Sequence, residues 1–231
     1  YYQPQWLVDC SCITGWEALL RWRHRDRGLL MPETFISVAE DTGVIRDLGL
    51  FVLRQACRDA VQWQHQGLGR FSISVNISAR QFERDDLLQL VDEVLHETSL
   101  DPSLLELEIT ESLMLQNPEL TLKLLSLLRL QGVRVAIDDF GTGYSSLSYL
   151  SNLPIDRLKI DRTFVLSSLE LSNSSVIIEA VISLARALGI STIAEGVETD
   201  AQRRFLRLQG CEQIQGYLMG RPMPATEIAA Y

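Results

Sequence analysis

The chain has 231 residues, 46% hydrophobic and 22% charged, which is enough apolar material for one large core. No stretch reaches the roughly 18 consecutive apolar residues of a membrane span, so no membrane contact is expected from this domain. A net charge of -9 and a pI near 4.9 argue against duplex nucleic acid as a partner, because a duplex-binding surface needs a basic stripe.

The chain opens Tyr1-Tyr2-Gln3-Pro4, with no initiator Met and no signal peptide, and enters strand-like sequence at once. The expectation is a single domain, 1–231, excised from a longer protein whose other parts would carry any membrane anchor. The cysteines at 10, 12, 57 and 211 have no zinc spacing, and His24, His65 and His96 make no His-Glu-x-x-His pattern. They read as reduced thiols of a cytoplasmic domain.

In chain order, strand-like runs are expected near 1–8 and 13–22, then a helix near 47–66 that ends at Gly67. From about residue 70 a unit repeats: an apolar, β-branched run, a turn, a helical pattern, and often a glycine. The runs are 71–76, 104–110, 133–138, 157–160, 190–194 and 212–215. The helical patterns lie near 84–97, 119–131, 173–188 and 199–209. Asn117-Pro118 is an N-cap followed by a first-turn proline, and Thr199 with Gln202 fits a capping box. Gly132, Gly189 and Gly210 sit where a helix must end before a strand. Alternating strands and helices imply a mainly parallel sheet, and about eight strands in this length fit an α/β fold of the TIM-type (β/α)8 barrel. An open doubly wound sheet is the alternative.

The apolar runs end on polar residues of a particular kind. Ser74-Val75-Asn76 ends on an amide, and Leu107-Glu108-Ile109-Thr110-Glu111 carries two carboxylates. Val135-Ala136-Ile137-Asp138-Asp139 closes on adjacent acids, which repel without a counter-charge. Leu158-Lys159-Ile160-Asp161 puts a lysine inside an apolar strand, where it is costly unless paired. Ile193-Ala194-Glu195 ends on a carboxylate, Ile214-Gln215 on an amide, and Trp16-Glu17-Ala18-Leu19 holds a carboxylate in an apolar run.

A barrel of this type gathers its active site at the C-terminal ends of its strands, so these residues would converge. Glu17, Asn76, Glu108, Asp138, Asp139 and Glu195 supply hard oxygen donors and no thiolate or imidazole, which suits Mg2+ or Mn2+. Six donors are generous for one ion and fit a pair about 3.5–4 Å apart, with Asp138 as the bridging candidate and Asp139 beside it on the second ion. Gly141-Thr142-Gly143 makes no dinucleotide fingerprint, since Ser146 stands where the third glycine would be. Acids on successive strands with a metal and a lysine base also fit an enolase-type barrel, but strand-like sequence from residue 2 leaves no room for that class's capping domain.

Taken together, these motifs resemble the EAL family of bacterial cyclic di-GMP phosphodiesterases. The matching stretches are Glu17-Ala18-Leu19-Leu20-Arg21-Trp22, Val75-Asn76-Ile77-Ser78, Glu108 through Ser112, Asp138 through Leu147, Leu158 through Asp161, Ala194 through Glu198, and Gln215-Gly216-Tyr217. They span nearly the whole chain in the family's order. Arg25 stands where family members often have proline, and the tail Met219-Gly220-Arg221-Pro222 departs mildly from the usual pattern.

The resemblance implies a barrel whose first strand runs against the others, two Mg2+ or Mn2+ ions per site, and hydrolysis of cyclic di-GMP to linear pGpG. It implies Glu17, Asn76, Glu108 and Asp138 at the first ion, and Asp138, Asp139 and Glu195 at the second. Lys159 would hold the attacking water and stabilise negative charge, with Glu195 sharing the base role. Leu19, Arg21, Asn76, Asp161 and Gln215 would contact substrate, and Glu111 would anchor the loop after Asp139. A homodimer is expected on the same ground. The competing expectation is a catalytically silent cyclic di-GMP receptor on the same barrel; degenerate members typically lose one of these acids, and all are present here.

Overall fold

A computed structural model describes residues 1–231 apart from 83–85, 142–149 and 169–171. Eight strands close a barrel: β1 (Tyr2–Leu7), β2 (Ile13–Ala18), β5 (Ser72–Asn76), β6 (Leu105–Thr110), β7 (Arg134–Phe140), β8 (Arg157–Ile160), β9 (Ser191–Ala194) and β10 (Gln213–Gln215), in the order β1-β10-β9-β8-β7-β6-β5-β2. β1 is antiparallel to both its neighbours, β2 and β10, while the remaining pairs around the barrel are parallel. The expected TIM-type barrel with a reversed first strand is therefore the observed fold.

The strands are buried on both faces, as a barrel wrapped in helices requires. Along β8 the parity is plain: Leu158 and Ile160 join the apolar core, while Arg157 and Lys159, alternating with them, ion-pair with carboxylates of other strands. Helices α2 (Ile45–His65), α4 (Leu87–Thr98), α6 (Pro118–Leu130), α8 (Ser172–Leu188) and α9 (Asp200–Gln209) cover the outside. Asn117 caps α6 through Leu120 N, and Thr199 and Gln202 close a reciprocal capping box on α9. The four cysteines are free thiols. Among the described residues, no helix is long and apolar enough to cross a membrane.

The expected strand over 13–22 stops at Ala18. The rest becomes a separate hairpin of β3 (Trp22–His24) and β4 (Gly28–Leu30), followed by the short helix α1 (Ile36–Thr42). Three other short helices were not anticipated: α3 (Ala79–Phe82), α5 (Glu111–Gln116) and α7 (Arg162–Ser167). Each is seven residues or fewer, too short for a 3.6-residue period to declare itself.

Gly216, just after β10, lets two backbones meet. A Cβ there would lie 2.2 Å from Val197 O and 2.3 Å from Val197 N, and its φ is 159°. Both neighbours are main chain and cannot swing aside. Gly216→Ala should therefore lower stability by about 2 kcal/mol, or roughly 4–8 °C in Tm for a chain of this size. A melt within 1 °C of the parent would show that the close approach carries no constraint.

Candidate active site at the C-terminal end of the barrel

Lys159 stands at the centre of the site, and its side chain is 1% exposed. Its Nζ donates to Glu108 Oε2 at 2.6 Å and lies 2.7 Å from Glu195 Oε1, 3.2 Å from Asp138 Oδ1 and 3.7 Å from Glu17 Oε1. Four strands or strand ends thus converge on one ammonium. Burial alone would push the Lys159 pKa down, but Asp138, Glu108, Glu17 and Glu195 together hold it well above the usual lysine range. Lys159 is therefore a fixed cation here and not a neutral base.

One ammonium does not balance the carboxylates around it. Burial raises Glu108 well above the ordinary range, helped by Glu17 and Asp138 and opposed by Lys159. Burial, with Asp138 and Glu17, pushes Glu195 up to about 8 against the pull of Lys159. Burial, Asp138 and Asp161 push Asp139 up to about 6. Glu17 goes the other way: burial raises it, but Lys159 and the amides of Gln215 and Asn76 outweigh that and hold it low.

The amides are aimed as donors. Asn76 Nδ2 donates to Glu17 Oε1 at 2.8 Å, and Gln215 Nε2 donates to Glu17 Oε2 and to Gln3 Oε1 at 3.2 Å. With its nitrogen so committed, Asn76 offers its oxygen as its remaining polar atom. Glu108 Oε1 is buried, and among the described residues no N–H or hydroxyl donates to it. Among the described residues, no three His, Cys, Asp or Glu side chains form a ready-made metal cage, because the carboxylates fan around Lys159 instead.

Successive residues of a regular strand point to opposite faces, so Asp138 and Asp139 should part company. β7 prevents this. Its pairing with β8 shifts register between Ile137 and Phe140, and Asp139 takes a left-handed φ of 54°. Asp139 N donates to Asp138 Oδ1 at 2.9 Å. Aspartate tolerates this conformation better than most residues, at a cost of about 1–2 kcal/mol. The result is that Asp138 meets Lys159 while Asp139 lines the cleft above it. Gly141 follows, and its N–H donates to buried Glu111 Oε2 at 2.9 Å. The rest of that motif, Thr142 through Leu147, lies outside the described residues.

The cleft has a volume of about 590 Å³. Glu17, Leu19, Asp139, Asp161, Glu195 and Gln215 line it, so these expected residues come together, and Asn76, Glu108, Asp138 and Lys159 join through the contacts above. Asp161 also caps α7 through Thr163 N at 2.9 Å. Arg21 stands apart: it lines the neighbouring pocket, where it donates to Leu20 O at 2.9 Å and lies 5.8 Å from the Tyr1 ring centroid. Sequence reasoning missed Gln3, Glu33, Arg162, Glu198 and Tyr217 as lining residues. Glu198 and Tyr217 close two of the matching stretches and Arg162 directly follows a third, so all three could have been found there. Gln3 needed the reversed β1, which lays it opposite Glu17.

Known proteins share this frame. The EAL domain family profile matches residues 1–222. The bifunctional diguanylate cyclase/cyclic di-GMP phosphodiesterase MucR of Pseudomonas aeruginosa is 45% identical over 230 residues, 100% of this chain and 34% of that protein. The cyclic di-GMP phosphodiesterase NbdA of the same organism is 42% identical over 231 residues, 100% of this chain and 30% of that protein. The chain thus spans about a third of the length of these relatives. A solved structure of the PaMucR phosphodiesterase in complex with c-di-GMP superposes with a TM-score of 0.96 at 45% identity, covering 98% of this chain and 92% of that one. The FimX EAL domain from Pseudomonas aeruginosa bound to c-di-GMP shares the fold, with a TM-score of 0.85 at 21% identity. This chain, over almost its whole length, belongs to the EAL domain family.

Proposed function

We propose that this domain hydrolyses one phosphodiester bond of cyclic di-GMP to give linear pGpG, using two divalent cations, Mg2+ or Mn2+. The carrying observation is a buried cluster of four carboxylates that a single ammonium, Lys159, only partly neutralises. An all-oxygen donor set with surplus negative charge fits hard cations. Glu17, Asn76, Glu108 and Asp138 would hold the first ion, and Asp138, Asp139 and Glu195 the second. When bound, such ions neutralise phosphoryl oxygens and make water acidic enough to attack near neutral pH.

The protein's own groups supply the remainder. Lys159, kept charged by its neighbours, orients water and faces the negative charge that grows on the phosphoryl oxygens. Glu195, which lines the cleft in contact with Lys159, stands where it could accept a proton from that water. The water oxygen bonds to phosphorus, the P–O3′ bond breaks, and the released O3′ gains a proton, leaving a 5′-phosphate on pGpG. Leu19, Asp161 and Gln215 lie where they could position the nucleotide within the cleft. Arg21 would act from the neighbouring pocket, and Glu111 would hold the chain that runs on from Asp139.

Glu17→Ala should still fold and lose at least about 100-fold in Mn2+-dependent release of pGpG from cyclic di-GMP. Turnover within threefold of the parent would remove Glu17 from the cation site. A parent domain that folds, holds Mn2+ and binds cyclic di-GMP without releasing pGpG would be a receptor instead.

Cation loading should also compete with protons. Glu195 and Asp139, raised to about 8 and about 6, are largely protonated below those values and must lose their protons to act as ligands. Mn2+ affinity measured by calorimetry should therefore rise from pH 6 to pH 8, with proton release at pH 7 visible as a dependence on buffer ionisation enthalpy. Affinity that is flat across this range would mean that neither carboxylate binds the cation.

A further inference from the structure

Without its cations, the cleft is a hard place for an anion to enter. Its lining includes Glu17, Glu33, Asp139, Asp161, Glu195 and Glu198 against the single arginine Arg162, in a chain of net charge -9. Cyclic di-GMP carries two phosphodiester charges. Bound cations offset the cleft's own acids, but the net negative charge of the rest of the chain still slows a ligand of that sign, and positive charge near the mouth relieves that long-range repulsion.

That charge is concentrated in one place. Residues 21–27, Arg-Trp-Arg-His-Arg-Asp-Arg, hold four arginines and one aspartate. They make up β3 and the loop of the β3–β4 hairpin, which lies in the chain between two cleft-lining residues, Leu19 before it and Glu33 after it. Leu19 is also shared with the adjacent pocket that Arg21 and Arg23 line.

The hairpin is held in shape. His24 pairs with Gly28 around the loop Arg25-Asp26-Arg27, and His24 Nδ1 accepts from Asp26 N at 3.0 Å and Arg27 N at 3.2 Å. Trp22 packs edge-on against buried Phe35, with centroids 5.7 Å apart, and pins the ribbon to the body. Arg23, Arg25 and Arg27 are exposed, and among the described residues none has an ion-pair partner. Arg25 also occupies the position where the family resemblance would place a proline.

We infer that Arg23, Arg25 and Arg27 form an electrostatic steering patch that speeds capture of the dianionic cyclic dinucleotide at the cleft mouth. The inference rests on the proposed substrate and deepens it. The three side chains act before binding, so they set the association rate and leave both the dissociation rate and the chemical step unchanged. The effect falls off within a Debye length, about 10 Å at 0.1 M salt, so it is lost at high ionic strength.

Stopped-flow association of a fluorescent, MANT-labelled cyclic di-GMP with the Mg2+-loaded domain tests this. At 20 mM NaCl the variant R23Q/R25Q/R27Q should associate about fivefold more slowly than the parent, and the two should converge at 300 mM NaCl. Dissociation rates and kcat should agree within twofold throughout. The variant R23K/R25K/R27K, which keeps the charge and changes the shape, should associate at the parent's rate. A parent that binds the probe no faster than the glutamine variant at 20 mM NaCl overturns the inference alone. A parent that does not bind the probe overturns the proposed substrate, and the inference with it.

Discussion

A buried ammonium among four carboxylates organises this end of the barrel. Lys159 reaches Glu17 from β2, Glu108 from β6, Asp138 from β7 and Glu195 from the end of β9. In water an exposed pair of this kind contributes little, typically below about 1 kcal/mol. Inside a barrel the balance differs, because each charge has been stripped of solvent and breaking a partnership leaves another charge buried alone. The raised Glu108 and Glu195 show which way it falls: burial and carboxylate neighbours outweigh one lysine. The site is left short of positive charge, and that shortage underlies the cation chemistry proposed for it.

A second constraint lies in β7. The period-2 geometry of a strand would separate Asp138 from Asp139, and the register shift with a left-handed Asp139 brings both to one end of the barrel. The strain is local, and Asp139 N, which donates to Asp138 Oδ1, ties it to the site itself. Gly141, the last described residue before 150, donates its N–H to Glu111 Oε2. A strained backbone next to charged groups is where folds commonly trade stability for chemistry.

Much of this was legible in the sequence because the barrel writes its inside and outside as alternation. The runs 157–160 and 104–110 show polar residues set among apolar ones, and those residues pair across the barrel, Lys159 with Glu108 and Arg157 with Glu106. The reversal of β1 was not legible from its pattern and entered through family resemblance, so Gln3 escaped notice although it lies opposite Glu17. The hairpin was hidden because Trp22 extends the apolar run of β2 beyond its true end at Ala18. The bulge in β7 left no periodic trace, since a shift of one residue inside seven looks like an uninterrupted strand. Arg21 shows the opposite failure: it sits next to a site motif, yet its side chain turns to Leu20 O and the Tyr1 ring, outside the cleft.

The central claim is that the carboxylates around Lys159 are a two-cation site built for a phosphodiester. The most direct measurement is a crystal structure of the domain grown with Mn2+ and cyclic di-GMP, with anomalous scattering used to place the metal. The account predicts two anomalous peaks about 3.5–4 Å apart on either side of the Asp138 carboxylate, with a phosphodiester oxygen against them. Clear density for the dinucleotide in the cleft, with no anomalous peak within reach of Asp138 and Lys159 still paired with all four carboxylates, would contradict it.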